Sequence, residues 1–194
     1  ENNQWDPALA AFLEAREKEP NNLEVLTGLG RAYSSARKID DAIALWSDIS
    51  ERAPETLEPK LQLARILHPR RDPRAELLLQ SVLKTEPDHR EALRLLARLY
   101  GRSASTVERA LETWDRLAML DPRDVSPLVH RGRLLEGARR FDEAEEEFRR
   151  ALTRNPSAPM ALADFARFAR VQKRYEAAIE VYQALLHVDP DRMD

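Results

Sequence analysis

Apolar positions recur along this chain with two alternating helical signatures. In the first, small and large apolar residues fall at i, i+3, i+4 and i+7. Examples are Leu26, Leu29, Gly30 and Tyr33; Leu93, Leu96, Ala97 and Tyr100; and Leu128, Gly132 and Leu135. That spacing draws one stripe on an α-helix. In the second, an alanine is followed four residues later by a large apolar residue: Ala8/Phe12, Ala42/Trp46, Ala75/Leu79, Ala110/Trp114, Ala144/Phe148 and Ala178/Tyr182. Residues four apart share a helix face, so each pair offers a close-approach point beside an anchor. Eight residues after each large residue stands a proline: Pro20, Pro54, Pro87, Pro122, Pro156 and Pro190. Proline cannot continue a helix and biases the residue before it toward extended backbone. The prolines are 34, 33, 35, 34 and 34 residues apart. The chain therefore reads as a repeat of two helices of about 13 residues each, too short to be stable alone, with faces that only neighbouring units can bury.

The Leu-Gly/Ala-x-x-Tyr run of the first helix, the Ala-x-x-x-aromatic pair of the second and the closing proline together resemble the tetratricopeptide repeat (TPR). The likeness covers essentially the whole chain. It implies an all-α fold, a right-handed superhelical solenoid of antiparallel helix pairs. Residues 1–22 match the second helix of a truncated repeat, with Trp5 where Phe141 and Tyr175 stand in theirs. Complete repeats follow at 23–56, 57–89, 90–124, 125–158 and 159–192, with 193–194 as a tail. Lys60 and Arg131 replace apolar residues usual in the family. The turn HPRRDP is one residue short and GRSASTV one residue long, so both are expected to perturb the stacking locally. Both ends read as cut from a longer array, and uncapped ends would favour self-association.

Composition narrows the function. Charged residues make up 34% and the net charge is −3, which argues against a nucleic-acid binder. Cysteine is absent, so no disulfide or thiolate chemistry is available. That is compatible with cytoplasm or periplasm alike. No apolar run reaches the ~18–20 residues of a membrane span. No phosphate loop, dinucleotide fingerprint, HExxH or GxSxG occurs, and His68, His89, His130 and His187 lack metal-ligand spacing, so no catalytic residue, metal or cofactor is expected. The histidines are expected to be exposed polar residues, with His130 a candidate to face the groove described below. The acidic run DEAEEE, Asp142 to Glu147, is expected to be a solvated helix face, Trp46 and Trp114 core, and Tyr33 and Tyr100 inter-helix packing.

One polar column stands out. The ninth residue of every complete repeat is arginine: Arg31, Arg65, Arg98, Arg133 and Arg167. Arginine is 26 of 194 residues, too few for that recurrence to be background, and the fifth-position column (Thr27, Leu61, Arg94, Val129, Ala163) has diverged freely. The arginines lie on a stripe well away from the packing stripe of the first helix. In the TPR family that stripe lines the concave groove. Arg94, Arg102 and Arg170 extend it. Guanidinium groups grip carboxylates and phosphates bidentately. The expected function is thus a non-catalytic protein–protein interaction scaffold presenting an arginine-lined groove to an acidic protein or peptide. Two alternatives remain: an accessory TPR domain of a larger enzyme such as a glycosyltransferase, or an envelope scaffold in export of an anionic polysaccharide. Against the ligand reading stands an internal lattice, because Glu24, Glu58 and Glu91 hold the second position of three repeats, with Glu136 and Asp164 nearby. Ser126 and Met160 hold it in the last two, so Arg133 and Arg167 are expected to be the least compensated.

Overall fold

The computed structural model describes residues 5–188, with side-chain surroundings for residues 7–186. Pro190, the 193–194 tail and the side chains of Trp5 and His187 lie outside the described residues. Within them the chain is all-helical: α1 (Trp5–Lys18), α2 (Leu23–Ser35), α3 (Ile39–Arg52), α4 (Leu57–Leu67), α5 (Arg74–Thr85), α6 (Arg90–Tyr100), α7 (Val107–Leu120), α8 (Ser126–Gly137), α9 (Phe141–Arg154), α10 (Pro159–Val171) and α11 (Tyr175–Val188), plus a 3-10 turn at Ala104–Thr106. The helices group into two compact units, one up to Leu95 and one from Leu96 onward. In the first, α1, α2, α3, α4 and α5 each pack on the next. In the second, α7 to α11 do the same, and α8 also packs on α10. Short connections between packed neighbours make them antiparallel hairpins.

The prolines end helices as their chemistry requires. Pro20, Pro54, Pro87, Pro122 and Pro156 each stand two residues past α1, α3, α5, α7 and α9. The residues just before four of them, Ala53, Glu86, Asp121 and Asn155, have left helical geometry, with ψ of 70°, 89°, 95° and 95°.

Inside each hairpin a different device reverses the chain. Arg37, Arg71, Arg139 and Lys173 all adopt φ near +60°. The residue after each donates its N–H back to the helix: Lys38 to the Tyr33 carbonyl (2.9 Å), Asp72 to Leu67 (3.3 Å), Arg140 to Leu135 (2.9 Å) and Arg174 to Ala169 (2.8 Å). These are left-handed helix stops of the kind glycine usually supplies. The long turn between α6 and α7 is the exception. It uses a 3-10 turn in place of a left-handed residue, with Ser103 Oγ accepting from the Ser105 N–H and Thr106 Oγ1 donating to the Tyr100 carbonyl at 2.6 Å.

Packing follows the small-and-large pairing. Ala42, Ala75, Ala110 and Ala144 are fully buried, as are Trp46, Leu79 and Phe148, and Trp114 is 3% exposed. Tyr182 of α11 is exposed, in line with Tyr175, Ile179 and Leu186 on the same helix. A Cβ on Gly30 would fall 2.7 Å from the Trp46 ring, and one on Gly132 2.7 Å from Phe148. Glycine is needed at both positions because the ring sits where a side chain would be. Tyr100 is buried as expected, and Tyr33 is half-buried. Lys60, which replaces an apolar residue, is accommodated by donating to the Pro54 carbonyl (2.5 Å) and the Ser81 hydroxyl (3.1 Å).

Two stability measurements check this account. Ala110→Leu and Ala144→Leu each overpack a closed helix contact, and each is expected to cost about 1–3 kcal/mol in urea unfolding; parent-like midpoints in both would refute the repeat alignment. Arg37→Gly relieves a left-handed residue with no tertiary partner, and thermal unfolding is expected to show a gain of up to about 1 kcal/mol.

Candidate functional site

Each described arginine of the ninth-position column is exposed, on the face of its helix away from the packed stripe. Four of the five are tied to a carboxylate on the first helix of a neighbouring repeat. In the first unit Arg31 of α2 donates Nε to Glu58 Oε1 of α4 at 2.8 Å, and Arg65 of α4 lies 3.2 Å from Glu91 of α6. In the second, Arg133 of α8 donates Nε and Nη2 to the two oxygens of Asp164 on α10, at 2.8 and 2.6 Å. Arg167 of α10 reciprocates, donating Nη1 and Nη2 to the two oxygens of Glu136 on α8, at 3.0 and 2.5 Å.

This corrects the expectation that Arg133 and Arg167 are the least compensated. Their repeats lack the second-position glutamate, but Asp164 and Glu136 reach them from other turns of the same helices. Asp164 is 7% exposed, and so depends on its partners far more than a surface carboxylate does. The hydrogen bonds that Arg133 donates to Asp164 raise the pKa of Arg133, and those that Arg167 donates to Glu136 raise the pKa of Arg167, against the opposing effect of desolvation.

Arg98 is the exception. Ser126 holds the second position of the following repeat, where Glu58 and Glu91 stand in the first unit. No carboxylate among the described residues is within ion-pair distance of Arg98. It lies on the wall of a cleft of about 700 Å³, enclosed by the last turn of α6, the long turn, the start of α7 and one side of α8. Arg102, Arg133 and Arg140 also line it, against one carboxylate, Glu108. Arg140 is tied down, donating to Glu108 (2.5 Å) and bidentately to Glu143 (2.7 and 2.6 Å), and its pKa is raised chiefly by the Glu143 hydrogen bond. The remaining lining is apolar or small: Ala97, Gly101, Val107, Leu134, Gly137 and Ala138, with Trp114 and His130 at one side. His130 stacks on Trp114 with ring centroids 4.5 Å apart and planes 20° from parallel.

Of the other arginines singled out from the sequence, Arg94 is half-buried, Arg102 is exposed at the cleft and Arg170 is exposed near the end of α10. The described histidines depart from expectation: His68, His89 and His130 are half-buried, none fully exposed. The acidic run also departs at one residue. Glu147 is 6% exposed and accepts from Arg131 (2.9 Å) and Arg150 (2.8 Å), while Arg131 also donates to the Leu111 carbonyl at 2.8 Å. The arginine at an apolar position of α8 and the buried glutamate of α9 thus compensate each other, which neither periodicity nor spacing announces. Among the described residues no group of His, Cys, Asp or Glu could hold a metal ion, and no helix is long and apolar enough to cross a membrane.

Comparison with known proteins agrees with the fold. The human protein O-mannosyl-transferase TMTC1 is 25% identical over 173 residues, 87% of this chain, which spans only 20% of that protein. A tetratricopeptide repeat protein from Parabacteroides merdae superposes with a TM-score of 0.77 at 18% identity, over 94% of this chain and 73% of its own. YrrB, described as a TPR protein with an unusual peptide-binding site, superposes with a TM-score of 0.68 at 17% identity, over 96% of each chain. Tetratricopeptide repeat models match residues 1–66 and 130–192. The helix hairpins, the buried Ala-to-ring pairs and these matches at both ends of the sequence agree, and the chain belongs to the tetratricopeptide repeat family.

Proposed function

We propose that this chain is a protein-interaction module that docks an acidic partner segment in the cleft at Arg98. The observation that carries this reading is the gap in the lattice. Four arginines of one column are neutralised by neighbouring repeats, and the fifth is left uncompensated beside a cleft. A guanidinium whose lattice partner is missing can accept a carboxylate without first giving one up. The remaining members of the groove set, Arg31, Arg65, Arg94, Arg102, Arg133, Arg167 and Arg170, then act as supporting charge or as struts. Fold-level likeness to a protein with a peptide-binding site is in keeping with this.

A second reading is favoured by the likeness to a mannosyl-transferase. There the module is an accessory TPR portion of a larger glycosyl-transferring enzyme. In both readings this segment acts by binding.

The test uses a fluorescein-labelled, glutamate-rich octapeptide and anisotropy. Arg98→Glu is expected to weaken binding roughly tenfold or more, in keeping with the ~1.5–3 kcal/mol of a hydrogen bond to a charged group, with an unchanged melting temperature. Arg133→Glu is expected to destabilise the fold by roughly 1–3 kcal/mol. That is less than the full cost of stranding a buried charge, because Arg133 itself is half in solvent. Binding that survives Arg98→Glu in a folded variant would move the site elsewhere.

Ser126→Glu supplies the carboxylate that Glu58 and Glu91 supply in the first unit. It is expected to lower affinity for the same peptide about tenfold, while stability stays within about 1 kcal/mol of the parent. Undiminished affinity would show that the missing rung is not what opens the site.

A further inference from the structure

Charge is not the only thing missing beside Arg98. The chain has five glycines, and packing accounts for three of them. A Cβ on Gly28 would overlap the Phe12 ring, as one on Gly30 or Gly132 would overlap Trp46 or Phe148. Gly101 and Gly137 have no such reason. A Cβ on Gly101 would come to 3.3 Å from the Ala97 carbonyl and 3.4 Å from Leu134, close to ordinary contact, and one on Gly137 would meet nothing within 4 Å. Glycine at a helix end commonly supplies a left-handed residue. Neither of these has positive φ, and the left-handed stop after α8 is Arg139. Both glycines line the cleft at Arg98.

Gly101 stands three residues after Arg98. The twelfth position that it holds carries a side chain in every other complete repeat, as Ser34, His68, Glu136 and Arg170. The arginine that lacks a lattice carboxylate therefore also has side-chain volume missing beside it. What surrounds the two glycines is aliphatic: Ala97, Val107, Leu134 and Ala138. Ala97 is buried, and Val107 and Leu134 are half-buried. The wall that leads into Val107 is fixed in advance, because Thr106 Oγ1 donates to the carbonyls of Tyr100 (2.6 Å) and Ser103 (3.2 Å).

We propose that the cleft reads two features of one segment: a carboxylate on Arg98, and a branched aliphatic side chain seated over Gly101 and Gly137. This rests on the acidic-segment reading above and specifies it. The lining selects the second group. A neutral polar side chain would lose water against it without gaining a partner. A cationic one would meet four arginines and a single glutamate. An aliphatic group gives up only unfavourable contact with water. The cleft, at about 700 Å³, lies within the range of pockets that enclose most of a small ligand. Its pre-formed wall keeps the cost of ordering low.

The experiment compares three sets of labelled octapeptides by anisotropy: glutamate-rich with one leucine walked through every position, glutamate-rich with alanine in its place, and glycine-serine with the same leucine walk. Circular dichroism confirms that each protein variant is folded. The best acidic peptide with leucine is expected to bind about tenfold tighter than its alanine counterpart, in keeping with burial of most of a leucine side chain. Gly137→Leu and Gly101→Leu, which fill the missing volume, should each erase that advantage. Should Gly101→Leu fail to fold, Gly137→Leu decides alone. Arg98→Glu should weaken both acidic sets. If the leucine and alanine sets bind equally while Arg98→Glu still weakens them, the aliphatic feature is overturned and the acidic-segment function stands. If the advantage persists in the folded glycine variants, the leucine sits elsewhere and the proposal falls. If the glycine-serine set binds as tightly as the acidic leucine set, or no set binds, both the proposal and the proposed function fall.

Discussion

In two of the repeats, a ring seated over a residue with no side chain sets the distance between the paired helices. Trp46 over Gly30 and Phe148 over Gly132 occupy the space that any Cβ would need. Once that contact is made, the orientation of the first helix about its own axis is fixed. One stripe is consumed by packing, and the ninth residue is turned away from it. The arginines are exposed because the stripe carrying the small residue before each of them, Gly30, Ala64, Ala97, Gly132 and Ala166, is buried, not because arginine prefers water. Fully buried alanines recur in the second helices, Ala42, Ala75, Ala110 and Ala144, where a closed interior tolerates neither added nor missing volume.

With orientation fixed, charge can be arranged between repeats. Arg31–Glu58 and Arg65–Glu91 in the first unit, and the reciprocal Arg133–Asp164 and Arg167–Glu136 pairs in the second, join first helices that follow one another. Exposed pairs of this kind contribute little each. Their larger effect is on register, since each pair is satisfied only when neighbouring helices are aligned along their axes. The second-unit pairs go further, because Asp164 is buried and both pairs are bidentate. The gap at Arg98 coincides with the long turn after α6, so the repeat that forgoes a lattice partner is also the one whose turn is built differently.

Column by column, the sequence makes the helices, their ends and their buried faces legible, because each depends on residues within one or two turns. Pro54 or Ala144 needs no knowledge of the rest of the chain to be read. The partners of Arg133 and Arg167 were hidden for a physical reason. A carboxylate reaches an arginine across a helix pair from more than one turn, so the absence of glutamate at the second position did not mean absence of a partner. Arg131 and Glu147 were harder still. Each alone looks like a departure from pattern or an ordinary surface charge, and only their juxtaposition between α8 and α9 makes either sensible. The cleft required the turn's geometry. One extra residue in GRSASTV signals a perturbation, but not that it leaves a wall beside Arg98.

Neutralising most of the column also changes what kind of binder the module can be. A fully open row of arginines would draw any polyanion, at a range limited only by screening. With four rungs paired and a net charge of −3, the attraction is confined to the neighbourhood of Arg98. At physiological ionic strength that field fades over about 8 Å. Arg133 and Arg140 stay charged there, but their charge is already met by Asp164, Glu143 and Glu108, so they shape the cleft more than they advertise it. In the proposed reading, recognition is then decided at contact, where a partner carboxylate meets Arg98. In the proposed site the ion pair weakens with salt while contact with the apolar lining does not, and selectivity therefore rests increasingly on shape as the ionic strength rises.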